Sequence, residues 1–170
     1  VATTMMNAYY ASHEDYLMAL AREMRPEYLA IHEAGLVLQI DDPRLISQYT
    51  MVPDMDVPAW RKWAQARVEV INHSLRGLPQ EMVRFHTCYS IDIGPREGDL
   101  ELKDIADVML GLNTAAYSFE AANPRHEHEY HVWETVKLPD GKLVIPGVIT
   151  HASNIVEHPE LIAQRITRYA

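Results

Sequence analysis

Val83-Arg84-Phe85-His86-Thr87-Cys88 decides how the rest of the chain is read. The run is rich in β-branched and aromatic residues, too short for a helix, and ends on an imidazole and a thiol. Three further runs share its character: Gly35-Leu36-Val37-Leu38-Gln39-Ile40, Ala115-Ala116-Tyr117-Ser118-Phe119-Glu120 and Leu143-Val144-Ile145-Pro146-Gly147-Val148-Ile149. Longer amphipathic stretches lie between them. Strand, helix, strand, helix in that rhythm predicts parallel βαβ units with right-handed crossovers, an α/β fold.

The helical stretches carry readable punctuation. Ser12 with Asp15 three residues on resembles a capping box, and Gly35 sits where that region stops. Pro26 interrupts the same stretch and predicts a kink or two consecutive helices. Asp56 caps a helix with Pro58 in its first turn, which Gly77 and Pro79 close. Asp99 precedes another helix ending near Gly111, and His158-Pro159 opens a last one that runs to the C-terminus.

Two architectures fit these units: an open doubly wound sheet, or part of an eight-stranded (β/α) barrel. No Gly-x-Gly-x-x-Gly follows any strand, so a dinucleotide fold has no support. Four strand runs are about half of a barrel, which typically needs ~250 residues. The 170 residues are expected to form one domain, 1–170, which cannot close such a barrel alone, and both architectures stay open on these grounds. The chain begins at Val1 rather than Met, as a trimmed chain or a piece of a longer one would.

Composition narrows the function. Hydrophobic residues make up 48% of the chain, enough for a core. The net charge of −9, from 15 basic and 24 acidic residues, argues against a nucleic-acid surface, which needs clustered Lys and Arg. No uninterrupted apolar window approaches the roughly 18 residues of a membrane span, and no signal-peptide pattern is present. Cys88 is the only cysteine, so no internal disulfide forms and a reducing cytoplasm is the expected compartment.

In parallel α/β folds chemistry collects at the C-terminal ends of the strands. Each such end here carries an ionisable group: Asp41-Asp42-Pro43, His86-x-Cys88, Glu120 and His151. On a strand His86 and Cys88 point to one face. A parallel neighbour about 4.8 Å away brings Glu120 within reach of the same ion. Zinc–ligand distances of about 2.0–2.3 Å permit shared coordination, and a thiolate favours zinc over magnesium or calcium. Spacing alone also fits an inert buried thiol and a hydrogen-bonded core histidine.

The remaining candidates have two readings each. Asp41-Asp42-Pro43 holds a substrate amino group, or simply makes a turn. His151, after Gly147-Val148-Ile149-Thr150, transfers protons, or bonds a neighbouring loop. His126-Glu127-His128-Glu129-Tyr130-His131 looks like a metal box but reads as the polar start of a helix, solvated or supporting a ligand from behind. Trp60, Trp63 and Trp133 are expected in helix packing, as is the Met5-Met6 pair.

The chain resembles the C-terminal catalytic barrel of cobalamin-independent methionine synthase, closest to its short single-barrel branch. The stretches that carry this are Leu38-Gln39-Ile40-Asp41-Asp42-Pro43, His86-Thr87-Cys88, Tyr117-Ser118-Phe119-Glu120-Ala121-Ala122-Asn123-Pro124-Arg125-His126-Glu127-His128-Glu129, Ile145-Pro146-Gly147-Val148-Ile149-Thr150-His151 and Asn154-Ile155-Val156-Glu157-His158-Pro159-Glu160. Their order and spacing match over nearly the whole chain. The resemblance implies the C-terminal half of a TIM barrel in which zinc activates homocysteine to take a methyl group from 5-methyltetrahydrofolate. It implies zinc ligands at His86, Cys88 and Glu120, an amino-group anchor at Asp41, and an acid/base at His151 that helps the pterin leave. The chemistry is coherent, since zinc lowers a thiol's pKa.

Three departures stand beside the resemblance. The family's fourth ligand, a second cysteine near the next strand, lies beyond Ala170. The earlier barrel strands lie upstream of Val1, and the short branch often has Asp where Thr150 stands. A fragment of a larger barrel is expected, its three ligands holding zinc weakly. A related zinc alkyltransferase using coenzyme M or another thiol would need the same residues. A catalytically inactive half-barrel, forming a homo-oligomer or binding module through open sheet edges, is the reading from another class.

Overall fold

Four parallel strands form one sheet in the order β1-β2-β3-β4: β1 Leu38–Asp41, β2 Val83–His86, β3 Ala116–Glu120 and β4 Leu143–Gly147. The computed structural model describes residues 5–89 and 97–170. Helices α1 His13–Glu33, α2 Arg44–Met51, α3 Val57–Ser74, α4 Leu102–Leu110, α5 Val132–Thr135 and α6 Pro159–Tyr169 alternate with the strands. Neighbours in the sheet are consecutive in the chain, so each crossover winds on in one direction and the sequence does not double back. This establishes the α/β class and the βαβ order expected from the sequence.

Alternation along the strands sorts the two faces. Leu38, Ile40, Val83, Phe85, Tyr117 and Phe119 are buried, and they join Leu45, Trp60, Val68, Ile105 and Met109 of the helices in one core. The pairs Leu38↔Val83, Ile40↔Phe85 and Phe85↔Tyr117 place these side chains in rows across the sheet. The other face carries Gln39, Asp41, Arg84, Ser118, Leu143 and Ile145, with Leu143 50% and Ile145 36% exposed. Among the described residues the helices cover one face and leave the other open.

The helix signals act as read, with instructive shifts. Ser12 Oγ accepts from Asp15 N at 3.0 Å and donates to Asp15 Oδ2 at 2.7 Å. Asp56 caps α3 by accepting from Ala59 N at 2.8 Å, and His158 Nδ1 accepts from Glu160 N at 3.2 Å at the head of α6. The strand expected from Gly35 instead starts at Leu38. Gly35 N donates to His32 O and Leu36 N to Ile31 O, so the chain first closes α1 with a Schellman turn at φ +74°.

Pro26 does not divide α1 into two helices. The helix runs unbroken: Tyr16, Leu17, Ala19 and Ala21 before the proline are buried, and Tyr28, Leu29 and Ile31 after it pack against the core. That burial outweighs one missing backbone bond. Met5 and Met6 are 62% and 95% exposed, so the expected packing of that pair is not made. Trp60 is fully buried and Trp63 and Trp133 pack against the core, as helix-packing residues should. No described helix is long and apolar enough to cross a membrane.

Candidate functional site

The C-terminal ends of all four strands meet on one rim of the sheet, and the register says which residues share a level. Asp41 pairs with His86, His86 with Ser118 and Ser118 with Ile145. Glu120 stands one level higher, opposite Gly147. A side chain on Gly147 would press its Cβ to 3.3 Å from Phe119 O, so glycine permits the close approach of β4 to β3.

Strand β2 stops at His86, and Cys88 lies in the loop beyond it. Backbone pairing runs one residue further and then passes to a side chain. Thr87 N donates to Ser118 O at 3.0 Å, and Tyr89 N donates to Glu120 Oε2 at 3.3 Å. Continuing the β2–β3 register by two residues sets Cys88 at the level of Glu120. The half-buried His86 ring places Nδ1 3.1 Å from Ser118 Oγ, which leaves Nε2 for another partner.

Glu120 has the least settled electrostatics on the rim. It is 7% exposed, and its Oε1 has no hydrogen-bond partner although buried. Among the described residues, His151 Nδ1 lies 3.8 Å from Oε1. An orphaned buried carboxylate oxygen costs free energy, so its persistence points to a ligand or a proton at that place. Among the described residues, however, no three His, Cys, Asp or Glu side chains stand close enough together to hold a metal ion. The rim brings Glu120 to His151 and sets Asp41 beside His86; the three suggested ligands share a rim and not yet a coordination sphere.

Asp41 and Asp42 divide the two readings of their motif between them. Asp42 Oδ1 accepts from Arg44 N and Leu45 N, each at 3.1 Å, which is the turn that starts α2. Burial pushes the Asp42 carboxyl up, against the pull of those two N–H groups. Asp41 points to the open face and accepts from Gln39 Nε2 at 2.6 Å, leaving one oxygen for a ligand amine. Behind this pair, α1, β1 and α3 enclose a cavity of about 370 Å³ reached by Met24, Tyr28 and Arg67. The Arg67 guanidinium is pushed down to about 10 by burial, and it lies 3.6 Å over the Trp63 ring.

The segment 126–131 divides the two alternatives of its sequence reading, with His128 and His131 exposed. His126 and Glu129 are 4% and 7% exposed, buried rather than solvated, in a short 3-10 turn, Glu127–His131, ahead of α5. Glu129 Oε1 accepts from Leu102 N at 2.9 Å and so caps α4, whose own N-cap residue Glu101 makes no side-chain capping bond. Their i,i+3 spacing, which nearly eclipses side chains on a 3-10 helix, was the available signal.

A second buried cluster fixes the loop that carries His151. Arg165, 6% exposed, donates to Val148 O at 3.0 Å, Glu157 Oε1 at 2.5 Å and Glu127 Oε2 at 3.0 Å. The N–H of Thr150 and then the Arg165 guanidinium hold the Glu157 carboxyl below its ordinary range. Stability from Glu157 is therefore present above the ordinary carboxylate pKa and lost as pH falls through the depressed one. Arg165→Met is expected to cost about 3 kcal/mol by stranding Glu157, read by thermal unfolding at pH 7. A cost near zero would show that the loop does not depend on this cluster.

No protein-family model matches the chain, and no curated protein matches it.

Proposed function

We propose that the rim is one half of the catalytic end of a TIM barrel, and that the protein is a cytoplasmic zinc-dependent methyltransferase moving the methyl group of 5-methyltetrahydrofolate to the thiol of homocysteine. The observation that carries this reading is Glu120, buried, with Oε1 lacking a partner, bonded by the N–H of Tyr89 next to Cys88 and 3.8 Å from His151. The donor set of one sulfur, one imidazole nitrogen and one carboxylate suits zinc.

Cys88, His86 and Glu120 would hold the ion, leaving a place for the incoming thiol. Bound zinc supplies the positive charge that keeps a thiol deprotonated at neutral pH. Ser118 Oγ orients the His86 ring so that Nε2 is the ligating nitrogen. Asp41, on the open face beside His86, accepts charge-assisted hydrogen bonds from the substrate amino group. His151 protonates the pterin nitrogen as the methyl leaves, with Glu120 Oε1 3.8 Å from its Nδ1. A coenzyme M-type alkyltransferase would use the same groups with a different acceptor.

The test measures zinc in the purified chain and methionine formed from homocysteine and methyl-folate. Bound zinc that is lost in Cys88→Ser, together with methyl transfer to homocysteine, is the expected result. Absence of zinc, with Cys88→Ser indistinguishable from wild type, would overturn the reading. Exposure of Leu143 and Ile145 on the open face favours one alternative, a half-barrel that self-associates as a binding module. Zinc-free protein that sediments as an oligomer is the outcome that reading requires.

A further inference from the structure

Tyr89, the residue after Cys88, is held by a buried polar cluster for which the proposed chemistry has no use. The side chains of Asp99, His126 and Glu129 are 5%, 4% and 7% exposed. His126 Nδ1 lies 3.0 Å from Glu129 Oε2, and Nε2 lies 3.3 Å from Asp99 Oδ2. A neutral imidazole has one N–H, so donation to both carboxylates needs the imidazolium or a proton kept on one carboxyl. Arg125 Nε, on the solvent side, lies 3.3 Å from the same Asp99 oxygen.

The flat of the His126 ring stacks on Tyr89, with centroids 3.5 Å apart and planes within 7°. The Tyr89 hydroxyl donates to Glu129 Oε2 at 3.3 Å, while its backbone N–H reaches Glu120 at 3.3 Å. One residue thus joins the cluster to the carboxylate at the rim. The loops after β2 and β3 are fastened together through it. Burying two acidic side chains is unfavourable by itself, and the bridging histidine offsets that cost together with Arg125, the Tyr89 hydroxyl and Leu102 N.

We propose that Asp99, His126 and Glu129 are positioning residues: a histidine clamped between two carboxylates holds the Tyr89 ring, and the Tyr89 backbone passes that constraint to Cys88 and Glu120. The inference rests on the reading of Cys88 and Glu120 as partners in the site. A cluster that served folding alone would raise stability without steering the thiol.

The experiment uses the whole chain with His126→Phe and Glu129→Gln. The first keeps a flat ring against Tyr89 and removes both bridges; the second keeps size and an oxygen for Leu102 N. Val68→Ala, a buried change in α3 away from the rim, supplies a control with matched loss of melting temperature. Two readouts are taken: the iodoacetamide alkylation rate of Cys88 in metal-free protein, and zinc affinity against a chromophoric chelator.

Both cluster variants are expected to raise alkylation about tenfold as the loop loosens. Zinc affinity is expected to fall about 10- to 100-fold. Val68→Ala should change each by less than about twofold. Equal alkylation in Val68→Ala and the cluster variants, or no change in either, overturns the positioning role. Wild-type protein that binds no zinc overturns the metal reading instead, and alkylation then decides the positioning role without it.

Discussion

Trp60→Ala is expected to remove about 4 kcal/mol of folding stability. The indole is fully buried in the core, where α3 meets α2 and the sheet, and Nε1 donates to Leu45 O at 2.7 Å. Truncation leaves a large cavity in the core cluster that holds Leu45, Ala64 and Phe85, and it removes the indole donor from Leu45 O. A domain holds only about 5–15 kcal/mol in total, so the variant should be partly unfolded at 37 °C. Trp60→Phe keeps most of the volume and loses only the hydrogen bond, for an expected cost of about 1–2 kcal/mol. Urea unfolding of the three proteins measures both values. A loss under about 1 kcal/mol for Trp60→Ala would mean that α2 and α3 do not close the core through this side chain.

What could be read in the sequence was whatever depends on near neighbours. The capping box at Ser12, the Asp56 cap and the His158-Pro159 start each rest on residues two or three apart, and each forms. The four strands were legible because each run is short and rich in β-branched or aromatic residues. The start of β1 was misplaced because Leu36 and Val37 look like strand residues, yet the Schellman turn of α1 claims the backbone first. The division into two helices offered as one outcome at Pro26 fails for the opposite reason, since a local rule for breaking helices says nothing of packing before and after the proline.

The rim was legible as a set of polar strand ends, and its detailed geometry was not. Extending β2 to Cys88 assumed two-residue alternation beyond the point where the strand stops. The cluster around His126 was hidden because its partners Asp99 and Tyr89 sit on another loop, 27 and 37 positions earlier in the sequence. Only the fold brings them together.

Glu120→Gln separates stability from function at the rim. In the metal-free protein a carboxylate is buried with Oε1 unsatisfied, and the isosteric amide removes that charge. Its oxygen still accepts from Tyr89 N, so the variant is expected to be more stable than wild type by about 1 kcal/mol. The same change takes away an anionic ligand and the partner of His151, so zinc affinity should fall by at least about 100-fold and methyl transfer with it. A residue that costs stability and is needed for chemistry is the expected signature of a functional carboxylate. Thermal unfolding of apo protein and chelator competition, made on one preparation, read the two effects separately. A destabilised variant with unchanged zinc affinity would make Glu120 a structural brace, and the site as proposed would lose its carboxylate.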